Sequence, residues 1–252
     1  MAPLGRILLW LVLIYLLLCL AMTLSQRHLL YLPTPKAPAS VPALRLAGPE
    51  GDLVVHPVRP GRANAVFYFG GNAEAVYRSA DSLARALPGC TLYLVNYPGY
   101  GGSAGQPSEA TLTAAALSAY DQLSSGHQQL AAIGRSLGSA VALSLAARRP
   151  LQRQALLTPF ASLEALAYEH YPWLPASLLL WDRYDLLALA PAVTSPSLVL
   201  LAQQDRVVPL AASSPLLSAL KAPTIVEVAG THNRFDATAS LAAFFHPICG
   251  AL

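Results

Sequence analysis

The sequence predicts an α/β domain, a mostly parallel sheet flanked by helices, behind an N-terminal transmembrane helix. Three observations lead there. From Leu53 onward, short β-rich apolar runs alternate with longer alanine- and leucine-rich segments, the alternation that builds a parallel sheet covered by helices. One junction between such a run and a helical stretch carries Gly134-Arg135-Ser136-Leu137-Gly138. Of 16 basic and 13 acidic residues, only Arg6 falls within the first 26 positions, so the two parts of the chain are built for different solvents.

Taken in order, the uncharged stretch Ile7 to Gln26 lies between Arg6 and Arg27, and as a helix it extends about 30 Å, the thickness of a bilayer's hydrocarbon. A cleaved signal peptide would have a shorter apolar region and a small-x-small site, for which Cys19-Leu20-Ala21 is a poor match. Residues 1–26 are therefore expected as an uncleaved anchor and 27–52 as an extended linker leading into the domain, where Pro33, Pro35, Pro38 and Pro42 forbid helix. The domain itself is expected over 53–252, with strands at 53–58, 65–70, 91–97, 130–134, 154–158, 197–202 and 224–229. Helices are expected near 73–87, 108–124, 137–149, 211–220 and 235–246, and residues 159–196, which exceed a plain crossover, are expected as a small helical lid.

Composition excludes several classes of function. The chain of 252 residues is 54% hydrophobic and 12% charged, too apolar for a disordered protein. A net charge of +3 without any Lys/Arg run gives no nucleic-acid footprint and no polybasic lipid patch. Cys19, Cys90 and Cys249 lack metal-ligand spacing, so no metal site is expected. Cys90 and Cys249 can pair if the domain faces an oxidising compartment, but buried free thiols are the commoner state and the expected one. There is no G-x-x-x-x-G-K, no strand-following G-x-G-x-x-G and no H-E-x-x-H, so no cofactor is expected either.

The G-x-S-x-G motif follows the apolar run LAAI and precedes the helical SAVALSLAARR. In that context the glycines allow a sharp strand-to-helix turn that exposes Ser136 Oγ at the carboxyl edge of the sheet. A serine hydroxyl is a weak nucleophile until a base takes its proton, and the base must be oriented by a carboxylate. His232, in Gly230-Thr231-His232-Asn233 directly after a strand, lies in a loop at the same edge, unlike His170 and His246. Asp205, after the strand SLVLLA, is the best-placed acid, with Asp182 and Asp185 of the lid as rivals. Two backbone N–H groups are needed for the oxyanion of a tetrahedral intermediate. Leu137 at the start of the helix supplies one, and the glycine-rich loop after an early strand supplies the other, from Asn72 or, second, Gly71.

The ordered set YLPTP at 31–35, GGNAE at 70–74, NYPGYGGSAGQPSE at 96–109, GRSLGS at 134–139, QDRVVP at 204–209 and GTHN at 230–233 resembles the α/β-hydrolase superfamily. Within it, the chain is similar to membrane-anchored single-domain serine hydrolases of the serine-aminopeptidase-like kind. The resemblance implies Ser136 as nucleophile, Asp205 as acid, His232 as base, and Leu137 and Asn72 as oxyanion donors, acting on an ester, thioester or amide through an acyl-enzyme. One departure is Gly70-Gly71 where relatives usually carry His-Gly before the asparagine.

The expected partners are a small lipid-like or acylated substrate and the membrane. Tyr168, Tyr171, Trp173, Leu174 and the run Leu178 to Trp181 can line an apolar acyl site, although packing onto the domain is the commoner fate of such residues. An aminopeptidase would need an acid for a free amino terminus, from Glu164, Glu169, Asp182 or Asp185. The third alternative is a tethered binding protein that keeps the fold without the activity. The basic residues flanking the anchor do not choose an orientation, and its short leading tail favours a domain outside the cytoplasm.

Overall fold

A long apolar helix leads into a doubly covered sheet. The computed structural model describes residues 3–250; positions 1, 2, 251 and 252 of the expected anchor and domain ranges lie outside them. Helix α1 spans Pro3–Leu30, four residues beyond the expected anchor boundary, because Arg27 and His28 continue the helix and Tyr31 N–H closes its last turn on Arg27 O at 2.9 Å. The chain then runs without regular structure past its prolines to β1, Leu44–Gly48. This strand lies inside the expected linker. It is a mostly exposed edge strand, held antiparallel to β2, Gly51–Val58, and a five-residue run flanked by prolines gives no core-facing pattern to read.

The other expected strands are present within a residue or two: β3 Asn64–Phe69, β4 Cys90–Val95, β5 Gln129–Arg135, β6 Arg153–Leu157, β7 Ser197–Ala202 and β8 Thr224–Val228. The sheet order is β1-β2-β4-β3-β5-β6-β7-β8, with β2 antiparallel to both its neighbours, β1 and β4, and every other pair parallel. Phe69 stands beside Val95 on one side and Gly134 on the other, and Ala202 beside Val228. That register brings the loops after β3, β5, β7 and β8 to one edge, where a parallel sheet binds its ligand.

Alternation along β3 assigns the two faces. Ala65, Phe67 and Phe69 face a core shared with α3 (Glu109–Leu123) and α4 (Leu137–Ala146), and Val66 and Tyr68 face one shared with α2 (Ala80–Ala86) and the C-terminal helix. Phe67 is fully buried against Tyr93 and Tyr120, with ring centroids at 5.5 and 5.8 Å. Helix α4 is buried from Leu137 to Leu145, and its alanines allow close approach to the sheet. Ser108 caps α3, its hydroxyl accepting from Thr111 N–H while Thr111 Oγ1 accepts from Ser108 N–H.

Between β6 and β7 the lid forms three short helices, α5 Leu163–His170, α6 Ala176–Leu179 and α7 Leu186–Leu189. Helix α8, Leu210–Ala219, follows β7, and a two-residue hairpin, β9 Gly230–Thr231 with β10 Arg234–Phe235, precedes α9, Thr238–Cys249. Helix α9 continues past Pro247, where a stop was expected. Its last turn is tied into the domain: Cys249 O accepts from Gly89 N–H at 2.9 Å, Ile248 O accepts from the Asn64 amide at 2.8 Å, and Cys249 is disulfide-bonded to Cys90. The expected pair of free thiols is thus corrected. Cys90 opens a central strand and Cys249 closes the last helix, and only the tertiary fold brings residues 159 apart in sequence together.

Candidate active site

The strand-to-helix turn at Ser136 is strained in the manner a nucleophile requires. Ser136 has φ 50° and ψ −115°, outside the regions L-residues favour, and its N–H is held by Leu157 O at 2.8 Å. Both glycines of the motif are forced by packing. A side chain at Gly134 would collide with the backbone of Gly138, and one at Gly138 would collide with Phe69 O, so β5, α4 and β3 meet through bare backbone. Ser139 Oγ donates to Gly134 O at 2.9 Å and braces the turn from beneath.

His232 occupies the turn of the β9–β10 hairpin, and Gly230, at φ 134°, leaves no room for a Cβ against Arg234 O. Its Nε2 lies 2.9 Å from Ser136 Oγ and its Nδ1 lies 2.7 Å from Asp205 Oδ2. Asp205 Oδ1 accepts the N–H groups of Val207 and Val208 at 2.9 and 2.8 Å, which fixes the carboxylate. The His232 and Asp205 side chains are only 8% and 6% exposed, so their interaction is little screened. With Nδ1–H donating to Asp205, Nε2 carries the lone pair that can accept the Ser136 proton.

Leu137 N–H begins α4, and Asn72 lines a cleft with Ser136 and His232; among the described residues neither backbone N–H has a protein partner. The Gly71 N–H, the second choice for an oxyanion donor, is instead bonded to Glu74 Oε2 at 2.8 Å. The Asn72 side chain fixes its own loop by accepting from Leu32 N–H at 2.9 Å and Tyr100 O–H at 2.8 Å and donating to Leu30 O at 2.6 Å. Burial pushes the Tyr100 phenol up to about 12, so it remains a donor. Gly70, the departure from the resembled pattern, has a physical reason: a Cβ there would lie 2.6 Å from Val76 Cγ1.

Glu74 joins the parts and was singled out in the sequence only as the end of GGNAE. Its carboxylate accepts from Tyr68 O–H at 2.6 Å, Ser79 O–H at 2.7 Å and Gly71 N–H, and pairs with Arg135 at 3.3 Å. Burial, and then the adjacent Glu74 charge, push the Tyr68 phenol well up, keeping it a donor. Arg135 in turn donates to His232 O at 3.2 Å and lies over the Phe235 ring. The Gly71-Asn72 loop, the Ser136 turn and the His232 hairpin therefore share one partly buried polar network.

Ser136 and His232 open into a cleft of about 630 Å³ whose lining includes Leu32, Glu74, Arg78, Val207 and Asn233. None of the lid aromatics lines it. Tyr168, Tyr171, Trp173, Leu178 and Trp181 are exposed and line no part of this cleft, whereas Leu180 packs onto the core as the commoner reading expects, and Leu174 and Leu179 are half-buried. Of the acids considered for an amino-terminus site, none lines this cleft. Asp182 is buried and structural: it accepts from Tyr31 O–H at 3.0 Å and Glu109 N–H at 3.1 Å and pairs with Arg27 at 3.3 Å. Asp185 caps α7 through Ala188 N–H.

Known proteins match this architecture. A family model described as the alpha/beta hydrolase fold matches residues 68–184. The Mycobacterium tuberculosis protein Rv2307c is 37% identical over 218 residues, covering 79% of this chain and 76% of its own. Among solved structures, XC6422 of Xanthomonas campestris, an α/β serine hydrolase without a lid, aligns with a TM-score of 0.63 at 22% identity over 87% of this chain and all of its own. The esterase Est1E of Butyrivibrio proteoclasticus, seen with ferulic acid bound, aligns with a TM-score of 0.67 at 17% identity over 81% of this chain and 98% of its own. At those identities the two structures speak for the fold. With a three-quarter-length relative at 37% identity and the ordered edge of loops described above, the chain belongs to the α/β-hydrolase family.

Proposed function

We propose that the protein is a serine hydrolase of the carboxylesterase or acyl-hydrolase kind, with Ser136 as nucleophile, His232 as general base and acid, and Asp205 as the orienting carboxylate. The observation that carries this reading is the continuous line of contacts Ser136 Oγ, His232 Nε2 and Nδ1, and Asp205 Oδ2, at 2.9 and 2.7 Å. His232 takes the Ser136 proton as Oγ bonds to the substrate carbonyl carbon. The carbonyl oxygen becomes an oxyanion facing the N–H groups of Leu137 and Asn72. The tetrahedral intermediate collapses as His232 returns the proton to the leaving oxygen, sulfur or nitrogen, leaving an acyl ester on Ser136. Water, deprotonated by His232, then releases the acid and regenerates the serine.

Helix α1 is long and apolar enough to cross a bilayer, and we read it as the anchor. The Cys90–Cys249 bridge favours an oxidising compartment and therefore a domain outside the cytoplasm. The cleft begins where α1 ends, with Leu32 on its rim, which favours lipid-like or acylated substrates presented at the membrane surface. Full-length protein in detergent and its Ser136→Ala variant, assayed on p-nitrophenyl esters of increasing acyl length, test the reading. The parent should turn over esters and the variant should lose a factor on the order of 10⁴ or more in kcat. Equal activity in both proteins would remove Ser136 from the mechanism.

A further inference from the structure

The lid and the anchor form one apolar surface. Between His170 and Asp182 lies an uncharged eleven-residue segment, Tyr171 to Trp181, with aromatic residues at both ends. Tyr171, Trp173 and Trp181 are about half exposed, and Leu178 is 82% exposed. A water-soluble lid would turn such residues inward, and a cluster of this kind marks a surface that another phase covers.

The segment is bonded to α1 at two levels, from Gln26 and from Tyr15. Gln26, itself buried, donates its amide to Leu179 O at 3.0 Å and accepts from Trp181 N–H at 2.8 Å. Farther along, Tyr15 O–H donates to Trp173 O at 2.9 Å. Within the segment, the N–H groups of Leu174, Leu178 and Leu180 bond to Tyr171, Pro175 and Ala176 carbonyls, and Pro172 and Pro175 have no N–H to satisfy. Such internal pairing lowers the cost of taking these backbone groups out of water.

Depth then follows from helix geometry. Tyr15 lies nine residues from Arg6 and twelve from Arg27, or about 14 and about 18 Å along the axis. A helix that crosses about 30 Å of hydrocarbon between these arginines carries Tyr15 well inside it, and the bond from Tyr15 to Trp173 O draws the lid segment to the same leaflet. From these contacts we propose that the lid segment Tyr171–Trp181 is embedded in the leaflet beside α1, a second membrane-inserted element whose occupant is lipid acyl chain. This rests on reading α1 as transmembrane. His170 and Arg183, both exposed, bound the segment, and Tyr171, Trp173 and Trp181 sit near its two ends as aromatic residues do at membrane interfaces. Embedding would seat the domain down onto the leaflet, with the catalytic cleft at its surface.

The three tryptophans separate the two readings, because Trp10 lies in α1 and Trp173 and Trp181 lie in the lid segment. Full-length protein is reconstituted in phosphatidylcholine vesicles with plain or chain-brominated lipid, as Trp10→Phe and as Trp173→Phe/Trp181→Phe, each retaining ester turnover. Embedding predicts that bromine quenches the Trp10→Phe emission by about half or more and that aqueous acrylamide barely affects it. Emission that ignores brominated lipid and is quenched by acrylamide would overturn the proposal. If the Trp173→Phe/Trp181→Phe protein is quenched by bromine in that same experiment, α1 still spans and only the lid proposal falls. If neither is quenched, both readings fall. Quenching in Trp10→Phe alone would remove the spanning helix from which the lid's depth is taken, and the proposal would fall with it.

Discussion

The catalytic rim and the lid sit on the same edge of the sheet and are specified by opposite means. On the rim each functional group is fixed by short polar contacts: Asp205 by two N–H groups, His232 by Asp205, and the oxyanion loop by Glu74 and the Asn72 side chain. In the lid, the outward face carries exposed Trp173, Leu178 and Trp181, and the polar bonds tie the backbone to the anchor helix and to Glu109 rather than placing reactive groups. The difference indicates a division of labour. Directional bonds set atoms to within a few tenths of an ångström, as acyl transfer needs, whereas apolar area sets only which phase a segment prefers.

The largest expected effect breaks the rim. Asp205→Asn keeps the shape of the side chain but gives His232 the wrong hydrogen-bond partner, and kcat should fall by about 10³ to 10⁴ with the protein still folded. A smaller effect should come from Glu74→Gln, which removes the charge opposite Arg135 while retaining an acceptor for Tyr68 and Ser79. We expect kcat to fall about tenfold with KM little changed, because Glu74 acts through the oxyanion loop and the histidine hairpin and touches no reacting atom. The disulfide offers a contrast in stability: Cys249→Ser should lower unfolding free energy by about 2–5 kcal/mol, read as a lower melting temperature, without altering the catalytic contacts. The smallest effect belongs to the lid. Leu178→Ser should change kcat on a soluble ester less than twofold and stability by less than about 0.5 kcal/mol, since the side chain is 82% exposed. A large loss of activity on a soluble ester from Leu178→Ser would join lid and rim into one device and end the distinction.

The same contrast explains what could be read from the sequence. Ser136, Asp205 and His232 were legible because each follows a strand of recognisable β pattern and the register of a parallel sheet gathers those loops at one edge. The strained φ of Ser136 and the close packing behind it leave glycine as the residue that fits on either side, so the motif is visible in one dimension. Glu74 left no comparable sign, since its partners Tyr68, Ser79 and Arg135 come from three elements and only the folded chain assembles them. The Cys90–Cys249 bridge and the Gln26–Leu179 bond join residues 159 and 153 apart, a proximity no spacing rule encodes. Strand β1 escaped because an exposed edge strand has no buried face to impose an alternating pattern. The outward orientation of the lid aromatics escaped because composition records that residues are apolar and not which phase they meet.

The central claim, that Ser136 is the nucleophile of an acyl-transfer site, is tested most directly by covalent labelling. Full-length protein treated with a fluorophosphonate and analysed by intact mass and peptide mapping should gain a single adduct, on Ser136, absent from Ser136→Ala and slowed sharply in His232→Ala. A protein that hydrolyses esters while its adduct maps to another residue, or that gains none, would contradict the account.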